Sequence, residues 1–167
     1  MSISVIIPTV GRPTLERTLA SVAPQLEAGD EILVLRDNTG DLGNTPRDKA
    51  VEIAHGSHLW FIDDDDIAMP GALAAMRRVA TRGVMACFRM AYGEHSEEPG
   101  RVLWERKVVE PGNLGTPCAL VPNINGLPYW TEANDELIFS DIRFLMKVAR
   151  TCRDVTWHED IVAVIRP

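Results

Sequence analysis

The apolar positions change period along the chain, and each change marks an element. Residues 3–9, "ISVIIPT", are a β-branched run closed by proline, the pattern of a strand buried on both faces. From Pro13 the period becomes helical: Leu15, Leu19, Val22 and Leu26 form one stripe, and Gly29 ends it. "EILVLRD" (31–37) reads as a second buried strand, and the Gly/Asn/Asp-rich "NTGDLGNTP" after it as a loop. A short helix is expected over 47–56 and a third strand over 58–62. A further helix is expected over 70–83, with Pro70 at its first position. Strand and helix thus alternate, which predicts an α/β fold with a mostly parallel central sheet flanked by helices.

The second half is less regular. "GVMACFRMAYG" (83–93) has strand character, 94–100 reads as an exposed turn, and "RVLWERKVVE" (101–110) alternates like a strand. Residues 111–128 are rich in Gly, Pro and Asn and read as loop. A helix over 141–151 and a last strand over 155–165 close the chain. With no repeat and no linker, residues 1–167 are expected to form one compact domain.

Composition narrows the function classes. Hydrophobic residues make up 46% and charged residues 25% of the chain, and the net charge is −7. That balance argues against a large nucleic-acid or anionic-membrane footprint, which needs a basic face. The three cysteines are widely spaced and lack zinc-site spacing, so reduced thiols are expected. No signal-peptide pattern and no apolar run of about 20 residues is present, so a soluble, cytoplasmic protein is expected.

Candidate chemistry concentrates in "WFIDDDD", where the third strand runs into Asp63, Asp64, Asp65 and Asp66. Parallel sheets bind ligands at the carboxyl ends of their strands, and the Thr9 loop, Asp37 and the aspartates all lie at such ends. A solvated turn is the plain alternative; capping of the next helix is disfavoured, because Pro70 would put the cap at Met69. Four adjacent carboxylates favour a hard divalent cation, Mg²⁺ or Mn²⁺, which takes one or two carboxylates and then a diphosphate. In an extended segment, residues two apart point the same way. Asp63 and Asp65 are therefore expected to share a ligand, while Asp64 and Asp66 face elsewhere and shape the turn.

These stretches resemble the family-2 glycosyltransferases of the GT-A fold. "SVIIPTVGRP" is similar to that family's opening strand and donor loop, and "EILVLRDNTGD" to its second strand. "RDKAVEIAHGSHLWFIDDDDIAMPGAL" is similar to its arginine-bearing helix, third strand and Asp-x-Asp motif. "FSDIRFLMKVA" resembles the segment that carries the catalytic base, with Ser140 in place of the usual Glu, and "VTWHEDIVAVIRP" its closing strand.

The resemblance implies a metal-dependent, inverting glycosyltransferase that moves a sugar from a nucleotide diphosphate sugar, by default a UDP-sugar, to an acceptor hydroxyl. Residues 1–66 would bind the nucleotide sugar and 84–167 the acceptor. Pro8, Thr9, Arg12, Asp37, Arg47, Asp63 and Asp64 would contact the donor. Asp63 and Asp65 would hold Mn²⁺ or Mg²⁺, with His158 as a third ligand. Asp141 would be the base, and Trp130 and Asp135 would meet the acceptor. Each has a plainer reading. Asp141 suits a helix N-cap, with Asp135 and Glu136 as alternative bases. Arg47 suits a solvated helix start, His158 a satisfied strand histidine, and Trp104 and Trp130 ordinary packing.

Three rivals are weighed against this. An aspartyl phosphatase or phosphotransferase also ends a strand in Asp-x-Asp, but on its first strand, with Thr or Val next; here the acids follow the third strand and precede Ile67. A nucleotidyltransferase would carry a richer Gly/Arg/Lys signature than "TVGRPT". A non-catalytic nucleotide- and metal-binding module would keep the site and lack turnover.

Overall fold

A computed structural model describes residues 1–133 and 140–167. In chain order the elements are β1 (Ile3–Thr9), α1 (Leu15–Val22), β2 (Glu31–Arg36), α2 (Asn44–Ile53), β3 (His58–Phe61), β4 (Ile67–Ala68), α3 (Ala72–Val79), β5 (Val84–Tyr92), β6 (Val102–Leu103), β7 (Ala119–Pro122), α4 (Ser140–Thr151) and β8 (Asp154–Ile165). The expected α/β class holds, with one central sheet in the order β2-β1-β3-β7-β5-β8-β4 and β6 paired to β5.

The sheet is mixed. β1 pairs in parallel with β2 and β3, and β5 in parallel with β8. β7 enters between β3 and β5 and runs antiparallel to both. It occupies part of the stretch expected to be loop. Its four residues, "ALVP", are all buried, but the surrounding Gly, Pro and Asn hide so short a strand. The reverse holds for 101–110, where only Val102 and Leu103 are strand. Beyond them Asn113 takes over. Its carbonyl accepts the N–H of Glu105 and Arg106, and its amide donates to the carbonyls of Arg106 and Val108. One buried side chain thus satisfies backbone groups that a strand neighbour would have paired.

Side-chain alternation sends the strands into two cores, one per sheet face. Ile3, Val5, Ile7, Trp60, Ile62, Phe88 and Leu120 pack with Leu73 and Met76 of α3. Ile6, Leu59, Phe61, Cys87, Ala119 and Val121 pack with Phe144, Leu145 and Val148 of α4. Helix starts and stops differ from expectation for local reasons. α1 gives way at Val22 to a 3₁₀ turn, Ala23–Gln25, because Pro24 offers no N–H. Pro70 lies in a turn, and left-handed Gly71 precedes α3. No helix among the described residues is long and apolar enough to cross a membrane.

Candidate active site

At the carboxyl ends of β1, β2 and β3 a cleft of about 660 Å³ opens across the sheet. It brings together most of the residues singled out in the sequence. Pro8, Thr9, Arg12, Asp37, Arg47 and the four aspartates line one side, and Trp130 and Asp141 reach it from the other. Asp135 and Glu136 lie outside the described residues.

The aspartates are not extended. The Asp66 N–H bonds back to the Asp63 carbonyl at 3.2 Å, closing a tight turn, and buried Thr18 of α1 holds the Asp66 carbonyl at 2.7 Å. The turn keeps Asp63 beside Asp65, as expected, and corrects the expectation that Asp66 faces elsewhere. Carboxylate oxygens of Asp63, Asp65 and Asp66 all lie within 4.8 Å of one another, so Asp66 joins the cluster. Asp64 stays outside the cluster, as expected. It is 2% exposed, accepts the Thr9 hydroxyl at 2.5 Å and the Arg12 guanidinium at 2.7 Å, and is the bolt between the first loop and the third.

Two arginines face the cluster. Arg12 also lies 3.5 Å from Asp65. Arg47 is 4% exposed, pairs with Asp63 and donates to the Leu42 carbonyl at 2.8 Å. It is therefore no solvated helix start. Left-handed Gly43, just before α2, makes room for it: a Cβ there would lie 2.8 Å from Pro8 and 2.9 Å from the Arg47 guanidinium. Asp37 braces its own loop. Its Oδ1 accepts from Thr39 and Gly40 and its Oδ2 from the Gly43 N–H. Burial pushes the Asp37 carboxyl up, but these bonds outweigh it and hold it below its usual range. Among the described residues Oδ2 accepts one bond, which leaves a lone pair for a ligand.

Charge crowding shows in the proton affinities. Burial first, then the charge of Asp63, raises Asp65. Burial and the charges of Asp63 and Asp65 raise Asp66 well above the ordinary carboxylate range. Across the cleft, Asp141 sits in the first turn of α4, its Oδ1 2.7 Å from the Ile142 N–H. Burial, with a contribution from Asp63, raises it as well.

Two expectations do not match the geometry. His158 is not brought to the aspartates: its ring stacks on Phe88 at 5.2 Å and its Nε2 lies 3.0 Å from the Thr156 hydroxyl. β8 reaches the cleft only at its last residue, Ile165, with Arg166 just beyond it, on the far side of a bulge from His158. There the Arg166 N–H, not an imidazole, meets Asp66 at 3.3 Å. Trp130 is 1% exposed, with Phe144 stacked at 4.2 Å and the Arg47 guanidinium 4.5 Å over its ring. Both ring faces are taken, so it is a wall of the cleft and not a platform for an acceptor.

Sequence reasoning missed Asp48. Its carboxylate accepts the N–H of Trp130 at 2.6 Å and both the N–H and hydroxyl of Thr131. An acid at the start of a helix with a buried face was the only signal.

No protein-family model and no curated protein matches the chain. Solved structures do. S. aureus TarS 1-349 in complex with UDP-GlcNAc superposes with a TM-score of 0.68 at 16% identity, over 98% of this chain and 58% of that one. The same protein in complex with UDP gives 0.69 at 17%, over 98% and 60%. A glycosyltransferase involved in the glycosylation of the major capsid of PBCV-1 gives 0.50 at 10%, over 99% and 93%. The chain spans no more than 60% of the length of these TarS chains. At such identities the likeness is one of fold, and it is the GT-A-type architecture that the motifs resemble.

Proposed function

We propose that the chain transfers a sugar from a nucleotide diphosphate sugar, a UDP-sugar in the first instance, to an acceptor hydroxyl with inversion at the anomeric carbon. One observation carries the reading: a single cleft sets the aspartate cluster opposite Asp141, in a fold shared with a UDP-GlcNAc complex. The cleft, at about 660 Å³, suits a ligand of nucleotide-sugar size.

The cluster fits Mn²⁺ or Mg²⁺. Its donors are hard carboxylate oxygens, and the three acids gather within 4.8 Å of one another despite their repulsion. Asp65 and Asp66, with Asp63, would hold the ion, which when bound offsets charge on the departing diphosphate. The chain's own residues do the rest. Pro8 and the Asp37 loop, with the free lone pair of Asp37, receive the base and ribose. Arg47 keeps Asp63 oriented, and Arg12 stands at the mouth where phosphate oxygens would lie. Asp141 takes the proton from the attacking hydroxyl; its raised proton affinity makes it a stronger base than an exposed carboxylate. One base and one displacement invert the centre. Residues 1–66 would serve the donor and 84–167 the acceptor.

The test is thermal and enzymatic together. UDP with Mn²⁺ should raise the melting temperature, and Asp65→Ala should remove most of that rise. A panel of UDP-sugars should then reveal one donor from which the protein slowly releases UDP in the absence of acceptor. An unchanged rise in Asp65→Ala would sink the metal assignment. Binding without turnover of any donor would make the protein a nucleotide-binding module instead.

A further inference from the structure

The two halves of the cleft differ in charge. The lining holds three arginines: the guanidiniums of Arg12 and Arg47 are tied to the aspartates, Arg12 to Asp64 and Asp65 and Arg47 to Asp63, whereas Arg166 is held by its backbone, its N–H on Asp66 and its carbonyl on the His95 N–H. The opposite half is lined by Glu97, Glu98 and Asp141, and among the described residues no arginine of the lining is ion-paired to any of the three. Glu98 pairs with Arg101, but that guanidinium also serves Glu105 and the Gly112 carbonyl and is not part of the lining. Glu97 has no ion-pair partner among the described residues and is exposed on the rim. Between these acids the wall is apolar, made by Met90, Tyr92, Leu103 and Leu114.

An acceptor with a phosphate, sulfate or carboxylate near its reacting hydroxyl would face the carboxylates of Glu97, Glu98 and Asp141, while the guanidiniums of Arg12 and Arg47 are already engaged by the aspartates. It would stand against like charges in a partly desolvated cleft. A hydroxyl compound with an apolar face meets no such penalty, and an amine is attracted. We propose that this half of the cleft selects an uncharged or amine-bearing acceptor and rejects an anionic one, with Glu97 as a specificity-determining residue. The inference rests on the sugar-transfer reading.

Three p-nitrophenyl glycosides test it: the glucoside, the glucosaminide and the glucuronide, which are neutral, cationic and anionic. UDP release is followed with the donor that the protein turns over on its own. The glucoside and glucosaminide should accelerate release, and the glucuronide should have a kcat/KM at least about tenfold lower. Exposed Glu97→Lys should narrow that gap about threefold, while the acceptor-free rate and the melting shift with UDP and Mn²⁺ stay as they were. A glucuronide as good as the glucoside, a gap unmoved in Glu97→Lys, or no acceleration by any of the three would overturn the proposal. Absence of acceptor-free UDP release and of the melting shift would overturn the sugar-transfer reading itself, which separates the two failures.

Discussion

The two sides of the cleft are built by different means. On the aspartate side the groups that face the ligand also hold one another. Thr9 and Arg12 lock Asp64, Arg12 leans on Asp65, and Arg47 pairs with Asp63. On the other side the loops are pinned from behind by polar side chains that do not line the cleft: Asp48 fixes residues 130–131, and Asn113 fixes 105–108. The difference has a consequence for mutation. On the aspartate side, Asp63 and Asp64 cannot be changed for binding without loosening the architecture. Across the cleft, a lining residue can be changed without its anchor, and an anchor without the lining.

Asp141→Asn gives the largest effect and the cleanest case of a lining residue changed alone. Loss of a positioned base lowers transfer by roughly 10²–10⁴-fold, while the amide keeps the size of the side chain. The melting shift with UDP and Mn²⁺ should persist, and retained transfer would move the base elsewhere. The wild-type pH profile bears on the same residue. Burial raises Asp141, so transfer should be full at higher pH and fall as the pH drops through a value above the usual carboxylate range. That limb should be missing from the residual activity of Asp141→Asn.

Next come two buried acids of similar exposure and opposite consequence. Asp64→Ala strands the buried Thr9 hydroxyl and frees the half-exposed Arg12 guanidinium from one of its two aspartates, and about 2 kcal/mol of stability should go with them. The nucleotide-dependent melting shift should shrink as well, because Asp64 carries the loop that bears Arg12. Asp48→Ala should cost about 2 kcal/mol through the lost N–H partners of Trp130 and Thr131. It should leave the nucleotide shift in place and weaken transfer only. Urea melts with and without UDP and Mn²⁺ measure both. If Asp48→Ala abolished the nucleotide shift, the two sides would not be separable.

The same contrast explains what could be read from the sequence. β1 and β3 carry near-continuous apolar runs because both their faces are buried; β2, expected to be buried as well, is a part-exposed edge strand whose run is apolar all the same, and Gly and Pro punctuate all three clearly. Asp37, Arg47 and the aspartates therefore fall at the right strand ends. The spatial roles were less legible, because they depend on a turn. Period-two alternation groups Asp63 with Asp65, but a turn brings Asp66 back beside them. β7 stayed hidden because four buried residues between prolines give no period to detect. His158 was placed by its neighbours in sequence, whereas β8 is twelve residues long and meets the cleft only at its far end. Trp130 lies in a loop-like sequence, but Asp48, eighty-two positions earlier, draws it into the core. Such long-range polar pins leave no local pattern.

The smallest predicted effect asks whether the two ends of one strand are independent. β3 delivers the aspartates at its carboxyl end and begins at His58, which is 1% exposed and faces the Ser57 hydroxyl and the Thr81 carbonyl. Burial holds the His58 imidazole below its ordinary value. On acidification the unfolded chain therefore takes up the proton first, beginning near the ordinary histidine value of about 6.5. The stability associated with neutral His58 is thus present above that value and declines as the pH falls towards the lower folded one. His58→Gln should flatten this part of the stability curve, measured by urea melts between neutral and mildly acidic pH. The melting shift with UDP and Mn²⁺ at neutral pH should not change, since the Asp63–Asp66 turn is held by Thr18, Thr9 and Arg12 and not by the start of the strand. A weaker nucleotide shift in His58→Gln would mean that β3 transmits strain along its length, and that the aspartate side is less self-contained than its bonds imply.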